Sequence, residues 1–219
     1  MSHKPCIIDG EECPTVSTIS KIADDPTGLR LWYGKYGTDY CNKIADESRK
    51  GGQFFHTNVE LVLKQDHGFK LEGELPVVDN YVDAVIKWGK EVVFKPEGFE
   101  VYVESKSHKY GGTLDCYGRV GNNADLVLVD WKKTSDIRVS HVVQCVGYVK
   151  ALQEDKGISL SHWRIIRPYE LKTICQKSEL KVLTKNHIRY GFEGSAIYVD
   201  EMKFDDLVYW WDVFKACRL

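Results

Sequence analysis

Residues Tyr110 to Lys133, YGGTLDCYGRVGNNADLVLVDWKK, decide how the chain is read. Two apolar-rich runs, Thr113–Val120 and Ala124–Trp131, flank Gly121-Asn122-Asn123, and such runs around a Gly/Asn cluster predict a β-hairpin. With Asn122-Asn123 as a two-residue loop, Gly121 faces Ala124, and counting back sets Asp115 opposite Asp130, their Cβ atoms about 5 Å apart. Alternation along the second strand puts Leu126, Leu128, Asp130 and Lys132 on one face and Val127, Val129 and Trp131 on the other. One side of the hairpin therefore carries two carboxylates and an amine.

Like charges opposite each other on a sheet destabilise it, and two close carboxylates force one of them to take up a proton. A hard divalent cation held by oxygen ligands would offset that repulsion, with Lys132 placed to touch a bound water or an anionic substrate oxygen. The competing reading is a surface hairpin whose acids face solvent and whose lysine makes an ordinary ion pair.

The run G-T-L-D (Gly112–Asp115) followed by D-W-K-K-T-S (Asp130–Ser135) resembles the PD-(D/E)XK nuclease superfamily, in particular its RecB-like exonuclease branch. The second acid is Asp where many members have Glu, a swap the pattern's name allows. Other stretches carry the resemblance further. Pro14–Ala23 reads as a short capped helix, followed by an aromatic helical segment, Gly28–Gly34. This opening resembles the P-S-V-T-T-I-L and L-x-x-W start of RecB-like domains. Asp39–Gln65 is helix-forming but interrupted at Gly51-Gly52; in its second part Phe55, Val59, Val62 and Leu63 keep helical spacing, with His56 and Glu60 on an adjoining stripe. Gly52 to His56 forms G-x-x-x-H, which in the family supplies a metal-holding histidine.

Asp79–Lys95 is an amphipathic helix ended by Pro96 and Gly98, and Phe99–Ser105 alternates as a strand with Glu100, Tyr102 and Glu104 on one side. Thr134-Ser135-Asp136 and Ser140 offer caps for a helix over Ser140–Glu154, closed by Gly157. On it, Gln144 and Tyr148 form the Q-x-x-x-Y of the branch's fourth motif. His162–Pro168 is a further strand, Gly194–Val199 another, and Lys203–Cys217 a helix with its tryptophans in the core.

The resemblance implies an α/β fold, a restriction-endonuclease-like α-β-β-β-α-β core with a central mixed sheet flanked by helices. It implies one nuclease domain over 1–219, its core about 14–168, with 169–219 as a C-terminal extension packing on it. It implies a Mg²⁺- or Mn²⁺-dependent deoxyribonuclease, an exonuclease acting on DNA with free ends, similar in architecture to stand-alone viral and phage enzymes of replication and recombination. A single-strand-annealing or replication protein would be its partner. Asp115, Asp130, Lys132, Gln144 and Tyr148 would be catalytic; His56, Asp115, Asp130 and the Trp131 carbonyl would hold metal. Glu60 and Glu104 are additional candidates, and Lys133, Arg164 and Arg167 would contact DNA.

Composition bounds these expectations. The 219 residues, 43% hydrophobic and 28% charged, suit a globular domain. The net charge of −2 is uneven: Trp131–Gly191 holds 12 Lys/Arg against 5 Asp/Glu, a basic stretch suited to phosphate, in a chain otherwise acidic. Neither a signal-peptide core nor a bilayer-length apolar run of ~20 residues is visible, so a cytoplasmic protein is expected. Seven scattered cysteines without a CxxC pair predict reduced thiols, and lacking the late three-cysteine cluster of some relatives, no iron-sulfur cluster. Two other readings stay open: a binding module that keeps the fold without turnover, and a restriction-type endonuclease.

Overall fold

The computed structural model describes residues 6–71, 75–122, 126–160, 162–170 and 187–218. At its start Asp9 and Gly10 both stand at positive φ, 54° and 81°, as a type I′ hairpin turn requires and an Asp-Gly pair accommodates. They join β1 (Cys6–Ile8) to β2 (Glu11–Cys13), a hairpin ahead of the expected core.

In α1 (Val16–Ser20) the Thr15 hydroxyl caps the first turn by accepting the Thr18 N–H. Gly37, at φ 82°, separates α2 (Thr27–Tyr36) from α3 (Thr38–Asp66). α3 runs unbroken through Gly51-Gly52, where the sequence predicted an interruption. Two helical glycines cost about 1 kcal/mol each, and burial of Phe55, Val59, Val62 and Leu63 in the following turns outweighs that.

Asp79 caps α4 (Asn80–Glu91) by accepting the Tyr81 and Val82 N–H groups. The helix stops at Glu91 rather than Lys95 because Val93 turns to φ 51° and Phe94 enters the core as the first residue of a strand.

The main sheet has six strands in the order β3-β4-β5-β6-β8-β7: β3 (Phe94–Ser105), β4 (Tyr110–Val120), β5 (Leu126–Trp131), β6 (His162–Glu170), β7 (His187–Gly191) and β8 (Ile197–Phe204). β3 is an edge strand, so it tolerates Pro96, at a bulge before Gly98. Among the described strands of this sheet only β5 and β6 pair in parallel, and α5 (Val139–Lys156) makes the crossover such a pair needs. α5 is capped from a distance rather than by Thr134-Ser135-Asp136: Asp24 accepts the Ser140 N–H at 3.0 Å and its hydroxyl at 2.7 Å. The chain leaves α5 through Gly157 at φ 69°.

Both sheet faces are covered, which explains the nearly continuous apolar run of β5. On one face Leu114, Leu128, Trp163 and Ile165 pack against α1, α5 and α6 (Leu207–Arg218). On the other, Cys116, Val127, Val129, Trp131 and Ile166 pack against α3 and α4. The molecule is thus α/β, a mixed central sheet between helices. The sheet continues past Pro168 through β8 and β7, and the strand expected at Gly194–Val199 begins at Ile197 and runs to Phe204. Among the described residues no helix is long and apolar enough to cross a membrane. The six described cysteines are free thiols; Cys175 and the turn residue Asn123 lie outside the described residues.

Candidate active site at the end of the β4–β5 pair

The β4–β5 ladder runs from Arg119↔Leu126 to Cys116↔Val129, the register counted from the sequence, and stops there. One step further the Asp115 side chain takes over the backbone's role: its Oδ2 accepts the Trp131 N–H at 2.9 Å. The next amide, Lys132 N–H, donates to the Ile166 carbonyl of β6 at 2.9 Å. Asp130, Trp131 and Lys132 are therefore held on both sides at the point where β5 leaves the sheet, the end of a parallel pair where α/β proteins tend to place ligands.

Four charged groups meet there. His56 reaches in from α3, its Nδ1 at 3.2 Å from Asp115 Oδ2, and Lys132 Nζ lies 2.6 Å from Asp130 Oδ2. Burial alone would raise the Asp115 carboxyl, but His56, Lys132 and the Trp131 amide hold it down at about 2. Burial dominates at Asp130, 1% exposed, and the nearby Asp115 adds to it, pushing the carboxyl up to about 6 despite Lys132. Burial would lower His56, yet Asp115 raises it, and burial would likewise lower Lys132, which the two acids raise. The Lys132 contact is close but poorly directed, leaving Asp130 Oδ2 buried without a hydrogen-bond donor. One carboxylate is settled and the other is not.

α5 supplies the wall. Gln144 Nε2 donates to the Tyr148 hydroxyl at 3.2 Å, and Tyr148 is buried against the acids, its phenol pushed upward first by burial. Gly112 makes room for this ring: a Cβ there would stand 3.0 Å from Tyr148 Cε1. His141, not anticipated, accepts the Arg138 N–H through Nδ1 at 3.1 Å; burial, then the charges of Lys132 and Arg138, lower it to about 3.

On β3 the acid beside the site is Glu100, not Glu104. Glu100 sits between the pairs Phe99↔Cys116 and Val101↔Leu114, hence across from Asp115, at φ 47°. The residue is exposed at the surface; burial of part of the side chain, with Asp115 and Glu60 beyond, raises its carboxyl to about 7. Glu104 lies about 13 Å further along the strand, 3.8 Å from Lys106 and beside Cys6. The positive φ at Glu100 breaks the alternation that grouped the two acids. Glu60, one turn beyond His56, pairs with Lys64 at 2.5 Å.

The expected DNA contacts on β6 are corrected. Arg164 is buried and pairs with Glu201, and Arg167 is buried between the Ser135 carbonyl and Asp200, the latter at 2.6 Å. Neither presents a guanidinium to a phosphate, because β8 brings an acid against each. Lys133 points toward α4, 3.7 Å from Asp79 and 4.3 Å above the Tyr81 ring.

Among the described residues no group of three His, Cys, Asp or Glu stands in metal-holding geometry. The donor types still suit a hard cation: two carboxylates, an imidazole, and a buried carboxylate oxygen lacking a donor, with the Lys132 ammonium where positive charge is wanted. No protein-family model matches the chain, and no curated protein matches it.

Proposed function

We propose that the chain is a metal-dependent deoxyribonuclease of PD-(D/E)XK type, an exonuclease hydrolysing phosphodiester bonds at free DNA ends. The observation that carries this reading is the meeting of Asp115, Asp130 and Lys132 at the end of the β4–β5 pair, with His56 on Asp115. The order of elements supports it: helix α3, strands β3, β4 and β5, helix α5 and parallel strand β6 follow the expected α-β-β-β-α-β order, with α4 interposed.

Asp115, Asp130, His56 and the Trp131 carbonyl would hold Mg²⁺ or Mn²⁺, with Glu100 as a further carboxylate beside them. When bound, such an ion acidifies water and neutralises charge on phosphate. Lys132 keeps its proton on Nζ and offers a compact cation to a water or a phosphate oxygen. Asp115 fixes the end of β5 through the Trp131 amide and so sets where Lys132 stands. Gln144 and Tyr148, joined by their hydrogen bond, orient the strand.

Incubation with Mn²⁺ or Mg²⁺ and end-labelled linear DNA, single- and double-stranded, tests the reading. The chain should release nucleotides from ends and spare closed circles, and Asp130→Ala or Lys132→Ala should slow release by at least about 10²-fold. Variants that cut at the wild-type rate would overturn the mechanism. A second reading, a nucleic-acid-binding module without turnover, is favoured by one observation: Lys132 already sits on Asp130. Binding without cleavage in both metals would select it; cleavage of circles into discrete fragments would indicate an endonuclease.

A further inference from the structure

The hairpin of β1 and β2 places two thiols face to face. Cys6 and Cys13 pair directly across it, and both side chains turn inward, 1% and 9% exposed, into a small cluster shared with Ile8. On the other face of the ribbon Ile7 and Glu12 are exposed. Of the other described cysteines only Cys116 lies on a strand, and it faces Phe99 and Val129.

Directly paired antiparallel residues have Cα atoms about 4.5–5.5 Å apart, inside the roughly 4.4–6.8 Å that a disulfide bridges. The Asp9-Gly10 turn fixes that register, so no strand has to slide to bring the sulfurs together. Paired Cβ atoms sit about 4.5–5.5 Å apart, against the roughly 3.5–4.5 Å of a relaxed disulfide. A bond here closes only with the strands pinched, and a bond under strain is readily reduced. The pair is built for a reversible link rather than a permanent staple.

The hairpin is docked where β3 meets β4. Asp9 pairs with Lys109, the Gly111 N–H donates to the Pro14 carbonyl at 3.4 Å, and the Tyr102 hydroxyl donates to Cys6 Sγ at 3.7 Å. Burial pushes the Cys6 thiol up, so Cys6 keeps its proton. Cys13 is the more open of the two, its thiol donating to the Glu11 carbonyl at 3.6 Å.

We propose that Cys6 and Cys13 are a redox-active dithiol, a site of oxidative modification that hydrogen peroxide converts to an intramolecular disulfide. Cys13 loses its proton and attacks one peroxide oxygen; the O–O bond breaks, the departing hydroxide takes up a proton as water, and Cys13 becomes a sulfenic acid. The Cys6 sulfur then attacks the Cys13 sulfur, the S–O bond breaks, and the hydroxide leaves with the Cys6 proton as a second water. The two thiols give up two electrons and two protons in all, and the peroxide is reduced to two waters. Closing the bond draws Cys6 Sγ off the Tyr102 hydroxyl, so oxidation removes one of the contacts that hold the hairpin to β3. The inference stands apart from the nuclease reading.

Thiol mapping of the whole chain tests the pair. No Lys or Arg lies between Lys4 and Lys21, so one tryptic peptide carries both cysteines. Protein is reduced, desalted, exposed to a small excess of hydrogen peroxide, then unfolded in N-ethylmaleimide and digested. The peptide should be about 2 Da lighter than its reduced, unalkylated form and carry no maleimide. The peptides of Cys41, Cys116 and Cys145 should stay alkylated, and dithiothreitol should restore both adducts at Cys6 and Cys13. In Cys6→Ser the sulfenic acid on Cys13 has no thiol to resolve it and should be captured by dimedone. If Cys6→Ser folds poorly, the wild-type mapping alone decides. Both adducts retained after peroxide, Cys13 recovered as a sulfinic acid in the wild type, or a link between two chains would each overturn the pair.

Discussion

Two clusters of buried charge sit in this sheet, one at the end of β4 and β5, the other across β6, β7 and β8. In the second, Asp200 receives Arg167 at 2.6 Å, His187 at 2.9 Å and Arg189 at 3.1 Å. Beside it Glu201 receives Arg164, the Trp88 indole N–H at 2.9 Å and the Tyr190 hydroxyl at 2.8 Å. Burial opposes the ionised Asp200, but these donors hold its carboxyl well below the usual range. In the first cluster Asp130, equally buried, has Lys132 at 2.6 Å but a second acid, Asp115, beside it, and its carboxyl is pushed up to about 6. One buried acid stands among cations and donors alone, whereas the other shares its place with a second carboxylate, the arrangement in which a charge from outside would be a further partner.

That contrast breaks most visibly through stability. Asp200→Ala strands the buried guanidinium of Arg167 and should cost about 3–5 kcal/mol in denaturant unfolding. Asp130→Asn relieves repulsion with Asp115 but takes the carboxylate from the buried Lys132 ammonium, and with the amide oxygen left to accept from it should cost about 1–2 kcal/mol; equal losses would erase the distinction. Next in size, Gly112→Ala drives a methyl toward the Tyr148 ring and should cost about 1–3 kcal/mol. It should also slow cleavage, because the tyrosine must shift, whereas a stable and fully active variant would mean that the ring moves freely.

The smallest expected effect is the most specific. Asp130 titrates near 3.9 when unfolded and at about 6 when folded, so the folded state holds the extra proton. Stability attributable to Asp130 therefore falls as pH rises from about 4 to about 6 and is level above. Asp115, folded value about 2, acts oppositely and lower: its contribution is present above about 4 and lost as pH falls toward 2. In Asp130→Asn the decline between 4 and 6 should shrink to the part that Glu100, raised to about 7, contributes as pH rises from about 4 to about 7. Millimolar Mg²⁺ or Mn²⁺ should raise the wild-type Tm by about 2–4 °C at pH 7.5, less at pH 5 and not at all in Asp130→Asn. Equal shifts in both proteins would place the ion elsewhere.

Much of the site could be read in advance because its geometry is local. Gly121 and the alternation of Leu126 to Trp131 set the β4–β5 register, which brought Asp115 to Asp130. The Asp9-Gly10 turn lies ahead of Pro14, where the resemblance begins, and so no motif pointed to it. Glu100 was not legible as the acid beside the site, because its place across from Asp115 depends on the β3–β4 register and on a backbone turned to φ 47°. Nor could Arg164 and Arg167 be told from surface cations: their acids, Glu201 and Asp200, follow more than 30 residues later in β8. Local spacing carries no information about pairings of that range.

Asp115 has one last implication. A single oxygen, Oδ2, both fastens the tail of a strand through an amide and faces the imidazole of a helix on the other side of the sheet. Whatever draws on that oxygen acts on both elements at once, so the position of the strand's exit and that of the helix are tied through one atom.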